Sequence, residues 1–206
     1  MVGAGPCGLL TALYLQKEGI QVQVLDGADK LDRQARATHY AAPALVDLER
    51  SGVLKLIKKQ GFAPKSVCWR LKDGTRIAGL RNDILPESDT LRMVALPLGD
   101  VIDILYKQAT AAGAEVLMQH AVQGLDQDKN KAWLDVKLPS GEMQKFEADY
   151  IVGCDGANSR IRRVLFGDRE FPGTTWPKQI IATNVRYFSR HVGNCLADLY
   201  LGLLPI

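Results

Sequence analysis

The sequence predicts an α/β fold built on a central, mainly parallel sheet, and three observations carry that expectation. Met1-Val2 runs into Gly3-Ala4-Gly5-Pro6-Cys7-Gly8, then into apolar residues at helical spacing and a short alternating strand, which lays out strand, turn, helix and strand. A second helix followed by a strand occupies Gly99 to Met118. The apolar segment Tyr150 to Cys154 then ends directly on Asp155-Gly156, so a second turn motif stands at a strand terminus.

Each element has its own signal. Leu9, Leu10, Leu13, Tyr14 and Leu15 recur at helical spacing until Gly19 stops them. Gln21 to Leu25 alternates as a strand that ends at Asp26, and a polar loop runs from Gly27 to Arg36. Two short amphipathic helices are expected between Pro43 and Lys59, broken at Ser51-Gly52. Ser66 to Arg70 and Thr75 to Ala78 flank Lys72-Asp73-Gly74, a turn signal that reads as a hairpin and departs from a pure α/β pattern. Leu98, Val101, Ile102, Leu105 and Ala109 line one face of the helix that Gly113 ends, and Glu115 to Met118 reads as a strand. Ala132 to Leu138 and Glu142 to Phe146, joined by Pro139-Ser140-Gly141, form an antiparallel hairpin.

Composition narrows the partners. A chain of 206 residues that is 47% hydrophobic can bury a real core and is too apolar for disorder. No apolar run approaches the roughly 20 residues of a membrane-spanning helix, and the start of the sequence has no secretory pattern, so a cytosolic protein without a membrane partner is expected. The net charge of +3 is too small to imply nucleic acid, and its densest part is Arg160, Arg162 and Arg163. Cys7, Cys68, Cys154 and Cys195 lie far apart and share no ligand spacing with His39, His120 or His191, so reduced thiols and no metal are expected. The three histidines have no nucleophile motif beside them, Trp69, Trp133 and Trp176 read as packing residues, and Cys7 reads as a small residue filling the turn. Oligomeric state has no signature here.

The chemistry lies in two motifs. In Gly3, Gly5 and Gly8 of G-x-G-x-x-G the first glycine allows the tight turn, the second lets backbone approach a pyrophosphate, and the third lets the helix pack on the sheet. The helix N-terminus offers unpaired N–H groups to the phosphates. Asp26, 18 residues beyond Gly8, stands where a carboxylate accepts hydrogen bonds from ribose hydroxyls, which points to FAD or NAD as the bound dinucleotide. A purely structural glycine turn is the alternative. In Asp155-Gly156-Ala157-Asn158-Ser159-Arg160, a carboxylate and glycine end a strand and Asn158 or Ser159 can cap the next helix. A capped turn with solvent-facing arginines is the plain alternative, and its position about 150 residues after the glycine fingerprint favours a shared ligand.

Val2 to Leu9, the Arg36-Ala37 pair, and Ala148-Asp149-Tyr150-Ile151-Val152-Gly153-Cys154-Asp155-Gly156-Ala157-Asn158-Ser159-Arg160-Ile161-Arg162 together resemble the FAD-dependent aromatic hydroxylases, single-component flavin monooxygenases with the p-hydroxybenzoate hydroxylase fold. The resemblance runs from Val2 to about Val185. It implies a Rossmann-like FAD-binding domain over residues 1–206, with a central parallel sheet, an antiparallel meander around Ala132 to Phe146, and the incomplete start of a substrate-side sheet at about 66–78 and 180–185. It implies that Gly3, Gly5 and Gly8 hold the FAD pyrophosphate, Asp26 the ribose, and Arg36 a place along the FAD, while Asp155 and Gly156 serve both FAD and the transient reductant, NADH or NADPH. The implied activity is hydroxylation of an aromatic, phenolic small molecule, with no side chain nominated as its acid or base.

The chain also departs from that family. Asp26 stands where Glu is usual, and Leu98 where many members carry Arg or Gln toward the flavin. Only Met1 and Val2 precede Gly3, so the first strand is expected to be too short for a central position, where about five residues are usual. The family's Gly-Asp flavin motif would fall beyond Ile206, and Arg190 to Ile206 does not match, which reads as a truncated or short form. A non-catalytic fragment with a defective FAD site and an NAD-dependent oxidoreductase are the alternatives.

Overall fold

The computed structural model describes residues 1–34, 36–71, 73–168 and 173–174. In chain order the elements are α1 (Pro6–Lys17), β1 (Gln23–Leu25), β2 (His39–Tyr40), α2 (Ala42–Arg50), α3 (Leu54–Gln60), β3 (Ser66–Arg70), β4 (Arg76–Arg81), β5 (Val94–Ala95), α4 (Leu98–Ala111), β6 (Glu115–Leu117), β7 (Ala121–Gln127), β8 (Ala132–Lys137), β9 (Met143–Ala148) and α5 (Arg160–Phe166). They gather into two compact units. One is formed by Met1–Arg36 and Leu98–Gly173, and the other, among the described residues, by Ala37–Pro97 and Thr174.

The first unit is built on parallel pairing. β1 pairs with β6, and Val2 bridges Leu25 on one side and Gly153 on the other, so the spatial order is Gly153, Val2, β1, β6. The expectation that two residues are too few for the central position is corrected here. Val2 N–H donates to the Val152 carbonyl (2.9 Å) and Cys154 N–H to that of Val2 (2.7 Å), while Gly3 N–H donates to Leu25 and Leu25 N–H to Met1, both at 2.8 Å. A central strand needs only that each backbone group find a partner, and here the neighbours supply them within three residues. The five-residue strand expected at Tyr150 to Cys154 is also corrected. Gly153 alone bridges, and Tyr150 is 87% exposed.

Side chains on the two faces of this sheet explain its layers. Val24 and Leu25 are both buried and point opposite ways. Helix α1 packs against β1 and against α4, through buried Leu9, Ala12 and Leu13 on one helix and Val101, Ile102, Leu105 and Ala109 on the other. On the opposite face Val2, Leu25, Leu134, Val136 and Ile161 form a buried cluster, with Leu117, Val122 and Phe146 against it. Burying each such aliphatic side chain contributes roughly 1.5–3 kcal/mol. The meander is three-stranded, in the order β7, β8, β9, and not the two-stranded hairpin expected. β7 escapes the pattern because its sequence, with Gly124 and Asp126, does not alternate and its register shifts between Val122 and Gly124. β8 alternates cleanly. Ala132, Leu134 and Val136 face in, and on the outer side the Lys145 ammonium sits 4.6 Å from the Trp133 ring. No helix among the described residues is long and apolar enough to cross a membrane.

In the second unit, α2 and α3 form as expected on either side of Ser51-Gly52, and buried Leu45, Leu48, Leu54 and Ile57 hold them together. The β3–β4 hairpin is present, with β4 running on to Arg81, and the Asp73 carboxylate accepts from Thr75 N–H at 2.8 Å in its turn. The expected strand at 180–185, and Trp176, His191 and Cys195, lie outside the described residues. Asn82 is the polar pin of this unit. It is buried, its side-chain amide donates to the carbonyls of Pro64 (2.8 Å) and Met93 (2.9 Å), and its Oδ1 accepts from Met93 N–H (2.8 Å). Leucine there has a similar volume and none of these bonds, so it strands three partly buried backbone groups. Asn82→Leu is therefore expected to cost about 3 kcal/mol in urea unfolding, and a loss below about 1 kcal/mol would show that water replaces the side chain.

Candidate functional site

The two motifs, about 150 residues apart in sequence, meet at the carboxyl edge of the parallel sheet. A Cβ built on Gly3, whose φ is +103°, would lie 2.4 Å from the Cys154 carbonyl oxygen and 2.9 Å from Asp155 N. One built on Gly8 would lie 2.0 Å from the Gly3 carbonyl oxygen and 3.4 Å from Cys154 Cβ. So Gly3 is packed under Cys154-Asp155, and Gly8 brings α1 down onto Gly3. Gly5 differs from both. It is the N-cap of α1 with extended backbone, no side chain caps the helix there, and a Cβ on it would meet nothing within 4 Å. The first and third glycines thus serve the protein's own packing, while the space over the second is left open.

Asp26 is tied to that turn from the neighbouring strand. Its Oδ2 accepts from Ala4 N–H at 2.7 Å and its Oδ1 from Ala28 N–H at 2.9 Å. A carboxylate offers about four acceptor positions, so two remain. The Ala4 bond holds the glycine turn in place before any ligand arrives, a role the sequence reading did not include. Asp26→Ala is accordingly expected to weaken FAD binding by about 1–3 kcal/mol in a flavin fluorescence titration and also to lower the melting temperature of the apoprotein. An unchanged affinity would reduce this carboxylate to a structural tie.

Asp155 has its own work. Its Oδ1 accepts from the Ser159 hydroxyl (2.6 Å), and its Oδ2 from the backbone N–H groups of Arg160 (2.6 Å) and Ile161 (3.2 Å). Ser159, the N-cap of α5, in turn accepts from Arg162 N–H at 3.0 Å. This is the capped turn weighed above, now seated against Gly3. Gly156 follows at φ +81° with open space over its Cα. Burial, with Cys7 close by, pushes the Cys154 thiol up. Cys7 itself is exposed, which corrects its expected place as filler of the turn.

Arg36 lies in the loop after β1, exposed, with an ion pair to Asp32 at 2.7 Å. Among the described residues none of its bonds reaches the glycine turn, so the structure brings together Gly3, Gly5, Gly8, Asp26, Asp155 and Gly156 but not Arg36. The loop is held from another point that sequence reasoning missed. Arg33 pairs with Asp100 (3.1 Å) and with Asp103 on α4, and a Cβ on Gly99 would come within 3.0 Å of Arg33 Cα. The signal was present as a glycine at the helix start followed by aspartates one and four residues on.

The residues present fit a dinucleotide. A helix start without a side-chain cap, an open glycine above it and a carboxylate beside it form a cradle that a Cβ would fill. Comparison with known proteins agrees. A family model described as the FAD binding domain matches residues 1–198. Para-nitrophenol 4-monooxygenase of a Pseudomonas species is 33% identical over 195 residues, covering 93% of this chain and 47% of that protein. A 6-hydroxy-3-succinoylpyridine 3-monooxygenase of Pseudomonas putida is 33% identical over 91% of this chain and 48% of its own length. The crystal structure of p-nitrophenol 4-monooxygenase from Pseudomonas putida superposes with a TM-score of 0.74 at 28% identity, over 87% of this chain and 44% of that one. The chain spans about half the length of the relatives it matches.

Proposed function

The chain belongs to the FAD binding domain family, and we propose that it supplies the flavin-binding part of an FAD-dependent aromatic monooxygenase that uses NADH or NADPH to hydroxylate a phenolic small molecule. The observation that carries this reading is the open face of Gly5, set between Asp26 and Asp155-Gly156 at the carboxyl edge of a parallel sheet. Gly5 and the N-terminus of α1 would receive the pyrophosphate, and the remaining lone pairs of Asp26 the ribose hydroxyls. Gly156 would let the cofactor pass close to backbone, and Arg36 would lie along it. FAD, when bound, would supply the redox chemistry, with the nicotinamide as reductant and O₂ as the source of the oxygen atom added to the ring, the other leaving as water. The chain's own contribution is binding and orientation. A cytosolic location goes with a nicotinamide reductant, and the names of the relatives support an aromatic substrate such as a nitrophenol.

The test is a titration of the purified chain with FAD, followed by NADH and NADPH consumption with and without p-nitrophenol and other phenols. Flavin binding is expected, and phenol-stimulated consumption with a hydroxylated product would show that the chain also hydroxylates. Absence of FAD binding would overturn the reading. Binding without consumption would favour a second one, a flavin-binding fragment that does not hydroxylate, which the coverage of 47% of the first relative motivates.

A further inference from the structure

Gln119 stands out among the described residues as the one non-glycine with positive φ, at +60°. It follows β6, the parallel neighbour of β1, and therefore lies at the same carboxyl edge as Asp26. Backbone bonds fix it there. Asp26 N–H donates to the Leu117 carbonyl (3.0 Å), Gln119 N–H to that of Ala28 (2.8 Å), and His120 N–H to that of Asp26 (2.8 Å). The next side chain is already committed. The His120 ring bonds the Met118 carbonyl through Nδ1 at 2.8 Å and meets the Phe146 ring edge-on at 5.9 Å. The Gln119 side chain, by contrast, is exposed. A left-handed glutamine is disfavoured relative to glycine, and such outliers gather at ligand sites.

A dinucleotide lying on the glycine turn with its ribose at Asp26 continues over the carboxyl edge of the next parallel strand, which is β6. A carboxamide carries a donor and an acceptor side by side and matches the N6 amine and N7 of adenine, an edge on which hypoxanthine offers two acceptors and no donor. We propose that Gln119 is a further cofactor-binding residue whose side-chain amide reads the adenine of the bound dinucleotide at the end of β6. This rests on the reading that FAD occupies the glycine turn.

The experiment measures binding of FAD, ADP and IDP to the full chain and to its Gln119→Ala and Gln119→Gly variants, with the melting temperature of each. IDP has a carbonyl where ADP has the amine. The parent is expected to prefer ADP over IDP about tenfold, and both variants to lose about tenfold in ADP and FAD affinity while IDP changes little, so that the preference disappears. Gln119→Gly should do this with an unchanged or raised melting temperature, because glycine accepts the positive φ. An ADP-to-IDP preference that survives in both variants would overturn the proposal and leave the FAD reading standing. A parent chain that binds neither ADP nor FAD would overturn both.

Discussion

Gly8→Ala is expected to prevent stable folding of the dinucleotide-binding unit. The added methyl would sit 2.0 Å from the Gly3 carbonyl oxygen, far inside any contact a real Cβ makes. Gly3 cannot retreat, because its own Cα faces the Cys154 carbonyl, and its N–H is bonded to Leu25. Helix α1 would have to lift from the sheet, and lifting it opens space beneath Leu9 and Leu13, both buried against α4. A lost contact of that size costs upward of 4 kcal/mol, against a total stability of about 5–15 kcal/mol for a domain. Circular dichroism and urea unfolding of the variant beside the parent measure it. A midpoint near that of the parent would show that α1 can stand off at little cost, and that the third glycine does not set the packing.

What the sequence made legible was whatever depends on a residue's immediate neighbours. The glycine turn, the helix that follows it, the break at Ser51-Gly52 and the turn at Asp73-Gly74 all follow from local spacing, and the structure places each as expected. The meeting of Gly3 with Cys154-Asp155 was legible for another reason, since two motifs that each belong at the end of a parallel strand share one sheet edge. Features that depend on distant partners were not legible. Val2 looks insufficient as a strand until Leu25 and Val152 are seen to bond it from both sides. Tyr150 to Cys154 looks like a buried strand by composition, yet only Gly153 has a bridging partner. The second bond of Asp26, to Ala4 N–H, and the docking of Arg33 on Asp100 and Asp103 follow from how the loop after β1 returns across the sheet, which no local pattern encodes.

Gly5→Val is expected to abolish FAD binding while leaving the fold intact, the opposite outcome from Gly8→Ala in the same motif. At Gly5 φ is −75° and ψ 179°, an extended conformation that valine adopts readily, and a Cβ meets nothing within 4 Å. The cost to the apoprotein is therefore limited to the weaker N-cap, about 1 kcal/mol. The cost to the complex is larger, because a branched side chain would occupy the space where a phosphate must reach backbone N–H groups at the start of α1. Losing that approach removes several charge-assisted hydrogen bonds, each worth about 1.5–3 kcal/mol, which amounts to more than a hundredfold in affinity. Flavin fluorescence titration paired with thermal unfolding of the apoprotein separates the two effects. If the valine variant binds FAD as the parent does, the open face of Gly5 is not where the pyrophosphate lies, and the assignment of the glycine turn to the cofactor fails with it. If it fails to fold, the space over Gly5 serves the protein's own packing, as it does at Gly3 and Gly8.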